Sequence, residues 1–270
     1  MDPMLTIAIR AARAAGEVIT RSLGRVDPRK ITVKSRNDFV SEVDRQAESE
    51  IIYVLQKAFP GHGILAEETG RQGTRREEYV WVIDPLDGTT NFLHGFPQFA
   101  VSIGLMYRGV PEAAVIYDPL RQELFTAKRG SGATLENRRI RVTAQTTLHG
   151  ALLGTGFPFK DQRYIDAYLA MLKDLIRDTA GIRRAGSAAL DLAYVAAGRL
   201  DGFWEMGLQP WDMAAGVLMI REAGGIVTDL VGGDRAMETG HVLTANPKLH
   251  QAMRDIIAPH LTEALRGEMA

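Results

Sequence analysis

A strand-like run that ends in a proline turn constrains the fold of this chain more than any other local feature. Residues 79–83 are all aromatic or β-branched, a composition typical of strands. The residues that follow are Asp84-Pro85-Leu86-Asp87-Gly88-Thr89-Thr90. Pro85 fixes one backbone angle, and Gly88 lets the backbone approach a bound group closely. The pattern predicts a strand that breaks into a rigid loop carrying two carboxylates and two hydroxyls.

That loop combines the groups needed for metal-assisted phosphoryl chemistry. Its carboxylates suit a hard cation, and the amides after Gly88 can face an anion. A second Asp-Pro-Leu sequence begins at Asp118, but it continues as Arg121-Gln122 between two strand-like runs. This copy predicts a hairpin turn alone. The functional interpretation therefore depends on the residues that only the first copy adds, which are Asp87, Gly88, Thr89 and Thr90.

Two further acidic sites strengthen the case. Glu67 and Glu68 follow an apolar pair at a predicted strand end, and Asp212 follows Pro210 at the start of a helical pattern. Each site also has a purely structural explanation. Paired glutamates usually lie in solvated loops, and an aspartate favours the first turn of a helix. Taken singly, neither site decides between binding and structure.

Composition limits the class of protein. With 270 residues and a net charge of −1, the chain can bury a large core and shows no electrostatic footprint for nucleic acid. Cysteine is absent, which excludes disulfides and thiolate metal sites. The absence of cysteine also fits the reducing cytoplasm, where we expect the protein. Charges interrupt the N-terminal apolar pattern, which argues against a signal peptide, and no run is apolar enough for a membrane span. The six histidines lack metal-ligand spacing, which disfavours a zinc hydrolase.

The order of predicted elements indicates sheets covered by helices, a mixed α/β (α+β) fold. Helices are predicted from Asp2-Pro3 onward, over residues 43–59, 164–177, 187–197 and 211–224, and after Asn246-Pro247. Strands are predicted over residues 79–83, 99–105, 133–135, 151–153, 182–184, 201–206, 226–228 and 241–244, and on both sides of Asp118.

Together these motifs resemble the inositol monophosphatase family over nearly the whole chain. The specific parts are Glu67-Glu68 and residues 81–92 and 211–216; the weaker parts are residues 37–44, 186–194 and 222–225. In detail the chain is most similar to the bacterial branch known as extragenic suppressor SuhB. The resemblance implies a layered α/β/α/β/α sandwich of the inositol monophosphatase and fructose-bisphosphatase type. It also implies a single unit over residues 1–270, with approximate halves 1–145 and 146–270 and a metal site between them.

The resemblance further implies two or three Mg²⁺ ions held by oxygen ligands. One ion would bind Glu67, Asp84 and the Leu86 carbonyl. A second would bind Asp84, Asp87 and Asp212, with Asp84 bridging the two. A third, weaker ion near Glu67 is compatible with the family.

The same resemblance assigns catalytic roles. Thr89, backed by Asp44 or Glu68, would orient the attacking water and take its proton, with no phosphoenzyme. The amides of Gly88 and Thr89 would hold phosphate oxygens.

Substrate contacts are implied for a wider set of residues. These are Asp87, Gly88, Thr89, Gly186, Ser187, Ala188, Glu205 and Asp212. A helix N-cap is the alternative role for Ser187, and we favour it. A surface ion pair with Arg183 or Arg184 is the alternative for Glu205.

The implied activity is Mg²⁺-dependent, lithium-sensitive hydrolysis of myo-inositol 1-phosphate and related polyol phosphates by a homodimer. One alternative is another phosphatase on the same scaffold, such as a fructose-1,6-bisphosphatase, a histidinol-phosphatase or a phosphonucleotide phosphatase. A bisphosphate would need nearby cations, for which Arg183, Arg184 and Lys160 are available. The other alternative is a mainly non-catalytic role as an RNA polymerase antitermination partner, in which some members of the bacterial branch are implicated.

Overall fold

The structure, a computed structural model, describes residues 2–25, 32–35, 38–40, 42–73, 77–159 and 161–267. Its α-helices are α1 (Pro3–Ser22), α2 (Glu42–Ala58), α3 (Thr89–Leu93), α4 (Ile165–Ile176), α5 (Ala188–Ala196), α6 (Pro210–Glu222), α7 (Ala236–Thr239), α8 (Pro247–Ile257) and α9 (Glu263–Arg266). Its strands are β1 (Thr32–Ser35), β2 (Asp38–Val40), β3 (Gly63–Ala66), β4 (Gly70–Gln72), β5 (Tyr79–Asp87), β6 (Ala100–Tyr107), β7 (Val110–Asp118), β8 (Glu123–Lys128), β9 (Gly132–Leu135), β10 (Arg138–Arg139), β11 (Leu152–Thr155), β12 (Gly181–Arg183), β13 (Gly202–Glu205), β14 (Ile226–Thr228) and β15 (Val242–Ala245). Among these residues, no helix has the length and apolar character needed to cross a membrane.

The elements stack in five layers. Helices α1 and α2 cover one face of an eight-stranded sheet with the order β10-β9-β8-β7-β6-β5-β3-β4. Helices α5 and α6 lie between that sheet and a five-stranded sheet with the order β12-β11-β13-β15-β14. Helices α4 and α8 cover the outer face of the smaller sheet. This α/β/α/β/α arrangement confirms the predicted fold class.

Small residues let α6 pack closely on the larger sheet. A Cβ atom on Gly104 of β6 would lie only 2.9 Å from the Cβ of Ala214 in α6. Nearby, the Ser102 hydroxyl donates to the Trp211 carbonyl at 3.3 Å. Ser102 is also the register partner of Asp84 on β5. These contacts bring the start of α6 against the end of β5, where the acidic motif lies.

The end of β5 differs from its predicted form. We expected the strand to break at Asp84, but β5 continues to Asp87 and pairs there with Ala100 of β6. The register is irregular between the two aspartates, so Pro85, which lacks an amide hydrogen, falls where the ladder is already disrupted. The prediction of a break was wrong because a bulge absorbs the proline.

Other predicted elements follow their expected positions within one or two residues, and the second Asp-Pro-Leu copy is the hairpin turn between β7 and β8. Several short elements were not predicted by the sequence pattern, namely α3, α7, α9, β1, β2, β4 and β10. Asn37, Ser41 and Lys160 lie outside the described residues.

Candidate active site

Three aspartates converge where the larger sheet meets the central helix layer. Asp84 and Asp87 lie near the end of β5, and Asp212 lies in the first turn of α6. One carboxylate oxygen from each lies within 4.8 Å of those from the other two. Oxygen donors at this spacing are suited to a hard cation such as Mg²⁺.

Asp84 is the most buried member of this group, with 2% of its surface exposed. Burial raises the pKa of Asp84 well above its ordinary value. Neighbouring carboxylates raise this pKa further; they belong to Glu67, Asp87 and Asp212. A divalent cation would relieve this repulsion. The donor set and its charge therefore fit a Mg²⁺ site.

Asp87 connects the acidic motif to the central helix α5. Its Oδ2 accepts hydrogen bonds from the Ser187 hydroxyl at 2.5 Å and from the Ala189 amide at 2.7 Å. Burial raises the pKa of Asp87 to about 6, although these hydrogen bonds oppose the rise. Ser187 is also the N-cap of α5, where its Oγ accepts from the Leu190 amide. The predicted N-cap is therefore present, and the contact with Asp87 adds a role that the sequence did not reveal.

Asp212 has a structural role in addition to its place in the carboxylate group. Its Oδ2 accepts from the Gln209 amide at 2.7 Å as part of a capping box at the start of α6. Pro210 occupies the first turn of that helix. The cap uses one carboxylate oxygen, so it is compatible with cation binding by the other.

A buried carboxylate accepts hydrogen bonds from the turn that carries the predicted Glu67-Glu68 site. Glu48, on α2, is 1% exposed. Its two oxygens accept from the amides of Glu68 at 2.8 Å and Thr69 at 2.9 Å. These bonds hold the turn that presents Glu67 after β3. The sequence analysis missed Glu48, although an acid on the buried face of α2 was a signal that could have identified it.

Thr89 lies between two acceptors. Its Oγ1 is 2.8 Å from Oδ1 of Asp44, which is fully buried, and 3.0 Å from the Leu86 carbonyl. A hydroxyl has one hydrogen to donate, and the charged acceptor is the stronger one. Donation to Asp44 leaves the Leu86 carbonyl available to a cation and leaves the Thr89 lone pairs available to a water. Asp44 is therefore the predicted supporting acid that the structure brings to Thr89.

Gly88 has a conformation and an environment that exclude a side chain. Its φ is 94°, in the left-handed region. A Cβ atom at this position would lie 2.8 Å from the Gln98 carbonyl. The glycine thus allows the chain to turn sharply from β5 into α3, with the Thr89 amide at the start of that helix.

A cavity of about 410 Å³ opens beside these groups. Its lining includes the converging carboxylates and also the apolar side chains of Phe157, Phe159, Met206 and Leu208. The guanidinium of Arg184 lies over the rings of Phe157 and Phe159, 5.1 and 5.4 Å from their centroids. The cavity therefore combines charged and apolar lining groups.

Most predicted site residues line this cavity. Those that do so are Glu67, Asp84, Leu86, Asp87, Gly88, Thr89, Gly186, Ala188, Glu205 and Asp212. Asp44, Glu68 and Ser187 are not among its lining residues. Glu205 lies against the backbone of Gly156, where a Cβ atom would be 1.9 Å from its Oε1. Of the predicted cations, Arg184 lines the cavity and Arg183 does not.

Comparison with known proteins gives consistent results. The sequence profile of the inositol monophosphatase family matches residues 1–265. A protein of Pseudomonas aeruginosa named Nus factor SuhB is 54% identical over 270 residues, which cover 98% of this chain and 100% of the relative.

Solved structures agree with this similarity. The extragenic suppressor protein suhB of Bartonella henselae superimposes with a TM-score of 0.92 at 44% identity, covering 95% of this chain and 98% of the other. The inositol monophosphatase of Anabaena (Nostoc) sp. PCC 7120 superimposes with a TM-score of 0.85 at 42% identity, covering 94% and 95%.

Proposed function

This chain belongs to the inositol monophosphatase family, and we propose that it is a Mg²⁺-dependent phosphomonoesterase acting on myo-inositol 1-phosphate and related polyol phosphates. The observation that carries the proposal is the convergence of three carboxylates, within 4.8 Å, beside a glycine turn that opens a helix. Carboxylates at this spacing can hold cations that neutralise a phosphate ester.

The catalytic role proposed for each residue follows from its position. Bound Mg²⁺ would supply Lewis-acid chemistry and lower the pKa of a nearby water. Thr89 would orient the attacking water, and Asp44 would take the proton that passes through the Thr89 hydroxyl. Glu68 stays a proposed second support for Thr89.

The proposed cation ligands form two overlapping groups. Glu67, Asp84 and the Leu86 carbonyl form one group, and Asp84, Asp87 and Asp212 form the other. A third ion near Glu67 is also proposed. A cation in the first group would join the turn after β3 to β5, and a cation in the second group would join β5 to α6.

The substrate is proposed to lie in the cavity with its phosphate beside the converging carboxylates. The amides of Gly88 and Thr89 would donate to phosphate oxygens. Gly186, Ala188 and Glu205 also line the cavity and would face the hydroxyls of the alcohol. Ser187 would contribute through its bond to Asp87.

Phosphate release from inositol 1-phosphate, with and without Mg²⁺, tests the proposal. Asp87→Asn keeps an oxygen for the bonds from Ser187 and Ala189 but removes the charge, so we expect activity to fall by roughly 100-fold or more. Asp118→Asn is the matched control, because Asp118 is a buried aspartate in the second Asp-Pro-Leu sequence. It should retain activity. Wild-type protein that releases no phosphate from this ester would contradict the inositol assignment.

Parallel assays separate the alternatives on the same scaffold. Turnover of fructose 1,6-bisphosphate, histidinol phosphate or a phosphonucleotide in place of inositol 1-phosphate would reassign the alcohol. Arg184 is the described cation at the cavity that favours testing a bisphosphate. We also propose inhibition by lithium, a homodimeric state and a cytoplasmic location; sedimentation of the purified protein tests the dimer.

We propose a second function from the name of a relative. The protein of Pseudomonas aeruginosa that is 54% identical to this chain is named a Nus factor, which favours contact with RNA polymerase or a transcription factor. In cells that depend on this chain, Asp87→Asn should preserve antitermination if protein contacts carry the function. Loss of antitermination with a stable Asp87→Asn protein would tie the function to catalysis.

A further inference from the structure

One side-chain amide joins the acidic loop to the segment that precedes α5. Nδ2 of Asn91, in α3, lies 2.8 Å from the Gln98 carbonyl, 2.9 Å from the Ala185 carbonyl and 3.2 Å from the Gly186 carbonyl. Gln98 belongs to the chain that returns toward β6, whereas Ala185 and Gly186 lead into the first turn of α5. The contact therefore links residues more than ninety positions apart.

The chemistry of this contact requires an amide. An NH₂ group has two hydrogens and can satisfy two carbonyls well and a third weakly. Three carbonyl oxygens around one atom identify that atom as the nitrogen, because an oxygen there would be repelled by all three. A carboxylate of the same shape would reverse three attractive contacts at once.

The approach of the two segments is close enough to exclude a side chain. Gly186 has a φ of 88°, and a Cβ atom there would lie 3.0 Å from Nδ2 of Asn91. A few residues later, Ser187 and Ala189 bond to Asp87. The loop before α5 is therefore fixed at two points to the motif that follows β5.

We infer that Asn91 is a positioning residue that sets the distance between the phosphate end and the alcohol end of the cavity. This inference rests on the proposed function, because the alcohol end is assigned by it. Asn91 lines the cavity together with Gly186 and Ala188, and it acts on that segment through its bonds to the Ala185 and Gly186 carbonyls. Its three hydrogen bonds are to backbone carbonyls outside the carboxylate group. Replacing Asn91 should therefore change how the ester is positioned and should change cation binding little.

The test uses Asn91→Asp with Asn246→Asp as its matched control. Asn246 is buried, whereas Asn91 is half-buried, and Nδ2 of Asn246 donates to one carbonyl, that of Gln145, at 2.6 Å. It caps α8 through its Oδ1, a role that an aspartate keeps. Both variants replace a hydrogen-bonded amide by a carboxylate of the same shape, but only Asn91 touches the segment before α5.

Two measurements on the full-length protein separate positioning from loss of stability. Hydrogen–deuterium exchange should increase in peptides spanning residues 181–190 for Asn91→Asp and should stay at the wild-type level there for Asn246→Asp. With inositol 1-phosphate and saturating Mg²⁺, kcat/KM should fall about 10- to 100-fold for Asn91→Asp, because small misplacements of the ester are costly. The Mg²⁺ concentration at half-maximal activity should change much less than kcat/KM.

Unchanged exchange over residues 181–190, or increased exchange with an unchanged kcat/KM, would overturn the inference. Equal losses of kcat/KM in both variants would do so as well, since they would indicate a general loss of stability. If the wild-type protein hydrolyses none of the esters, the proposed function fails instead. The exchange measurement then decides by itself whether Asn91 couples the two segments.

Discussion

At the scale of single residues, the two Asp-Pro-Leu sequences show which contacts the three shared residues form by themselves. Oδ1 of Asp84 accepts from the Leu86 amide at 2.9 Å, and Oδ1 of Asp118 accepts from the Leu120 amide at the same distance. This bond from side chain to backbone is therefore common to both copies, although the first copy lies in a bulge of β5 and the second in a hairpin turn. Asp118 then pairs with Arg121, whereas Asp84 faces other carboxylates. The following residues, rather than the shared ones, separate a structural turn from a candidate binding site.

Gly88 gives a prediction at this scale. Gly88→Ala should destabilise the protein by about 1–3 kcal/mol and abolish Mg²⁺-dependent turnover, because the new Cβ meets the Gln98 carbonyl and displaces the Thr89 amide. Gly95→Ala is the control, since Gly95 also has a positive φ of 68° but has nothing within 4 Å of a built Cβ. It should cost about 1–2 kcal/mol of backbone strain alone and retain activity.

Chemical denaturation and phosphate release from inositol 1-phosphate check this pair. Activity in Gly88→Ala equal to that in Gly95→Ala would show that turnover does not need the close approach of Gly88 to the Gln98 carbonyl. That result would contradict the proposed position of the phosphate.

At the scale of elements, helix α2 carries more of the candidate site than its pattern suggested. Helical spacing predicted an apolar stripe of Ala47, Ile51, Val54 and Ala58, of which Ala47 and Ile51 are buried and the other two are half-buried. The same face carries Asp44 and Glu48, both buried. Helical periodicity identifies the buried face but does not show what a buried acid contacts. Those contacts, with Thr89 and with the turn after β3, depend on how α2 docks against the sheet.

Glu48 gives a prediction at this scale. Glu48→Gln leaves one strong acceptor for two backbone amides, so the turn that carries Glu67 should loosen. We expect about 1–2 kcal/mol of lost stability and an increase of about tenfold in the Mg²⁺ concentration at half-maximal activity. Thermal unfolding and a Mg²⁺ titration of phosphate release measure these effects.

Glu50→Gln serves as the control on the same helix, because Glu50 is exposed. It should behave like the wild-type protein. If Glu48→Gln lowers the stability but leaves the Mg²⁺ concentration at half-maximal activity unchanged, Glu48 has a structural role alone. That result would contradict the proposal that Glu48 positions Glu67 for cation binding.

At the scale of the whole molecule, the layers were predictable and the site assembly was only partly so. Alternating strands and helices indicated sheets covered by helices, and the resemblance supplied their order. The bond from Ser187 to Asp87 joins residues 100 positions apart, and no local pattern specifies such a contact. Likewise, the bulge at Pro85 depends on pairing with β6. The division into halves near residue 145 stays a prediction.

The carboxylate group also makes the stability of the whole molecule dependent on pH and Mg²⁺. The pKa of Asp87 is about 6 in the folded, metal-free protein and near its ordinary value of 3.8 when unfolded. Between these values the folded state binds more protons, so the free energy of unfolding falls as the pH rises. The raised pKa of Asp84 acts in the same direction. Because Mg²⁺ would replace these protons, its stabilising effect should grow as the pH rises through about 6.

Thermal unfolding at about pH 5 and about pH 7.5, with Mg²⁺ and with NaCl at equal ionic strength, measures this linkage. We expect Mg²⁺ at about 100 times its Kd to raise the Tm by roughly 5–10 °C at the higher pH, and by clearly less at the lower pH. Asp87→Asn should reduce the Mg²⁺ effect at the higher pH, because the variant removes one of the charges that the cation neutralises. A Mg²⁺ effect that is equal at both pH values, or matched by NaCl, would contradict a cation site built from these carboxylates.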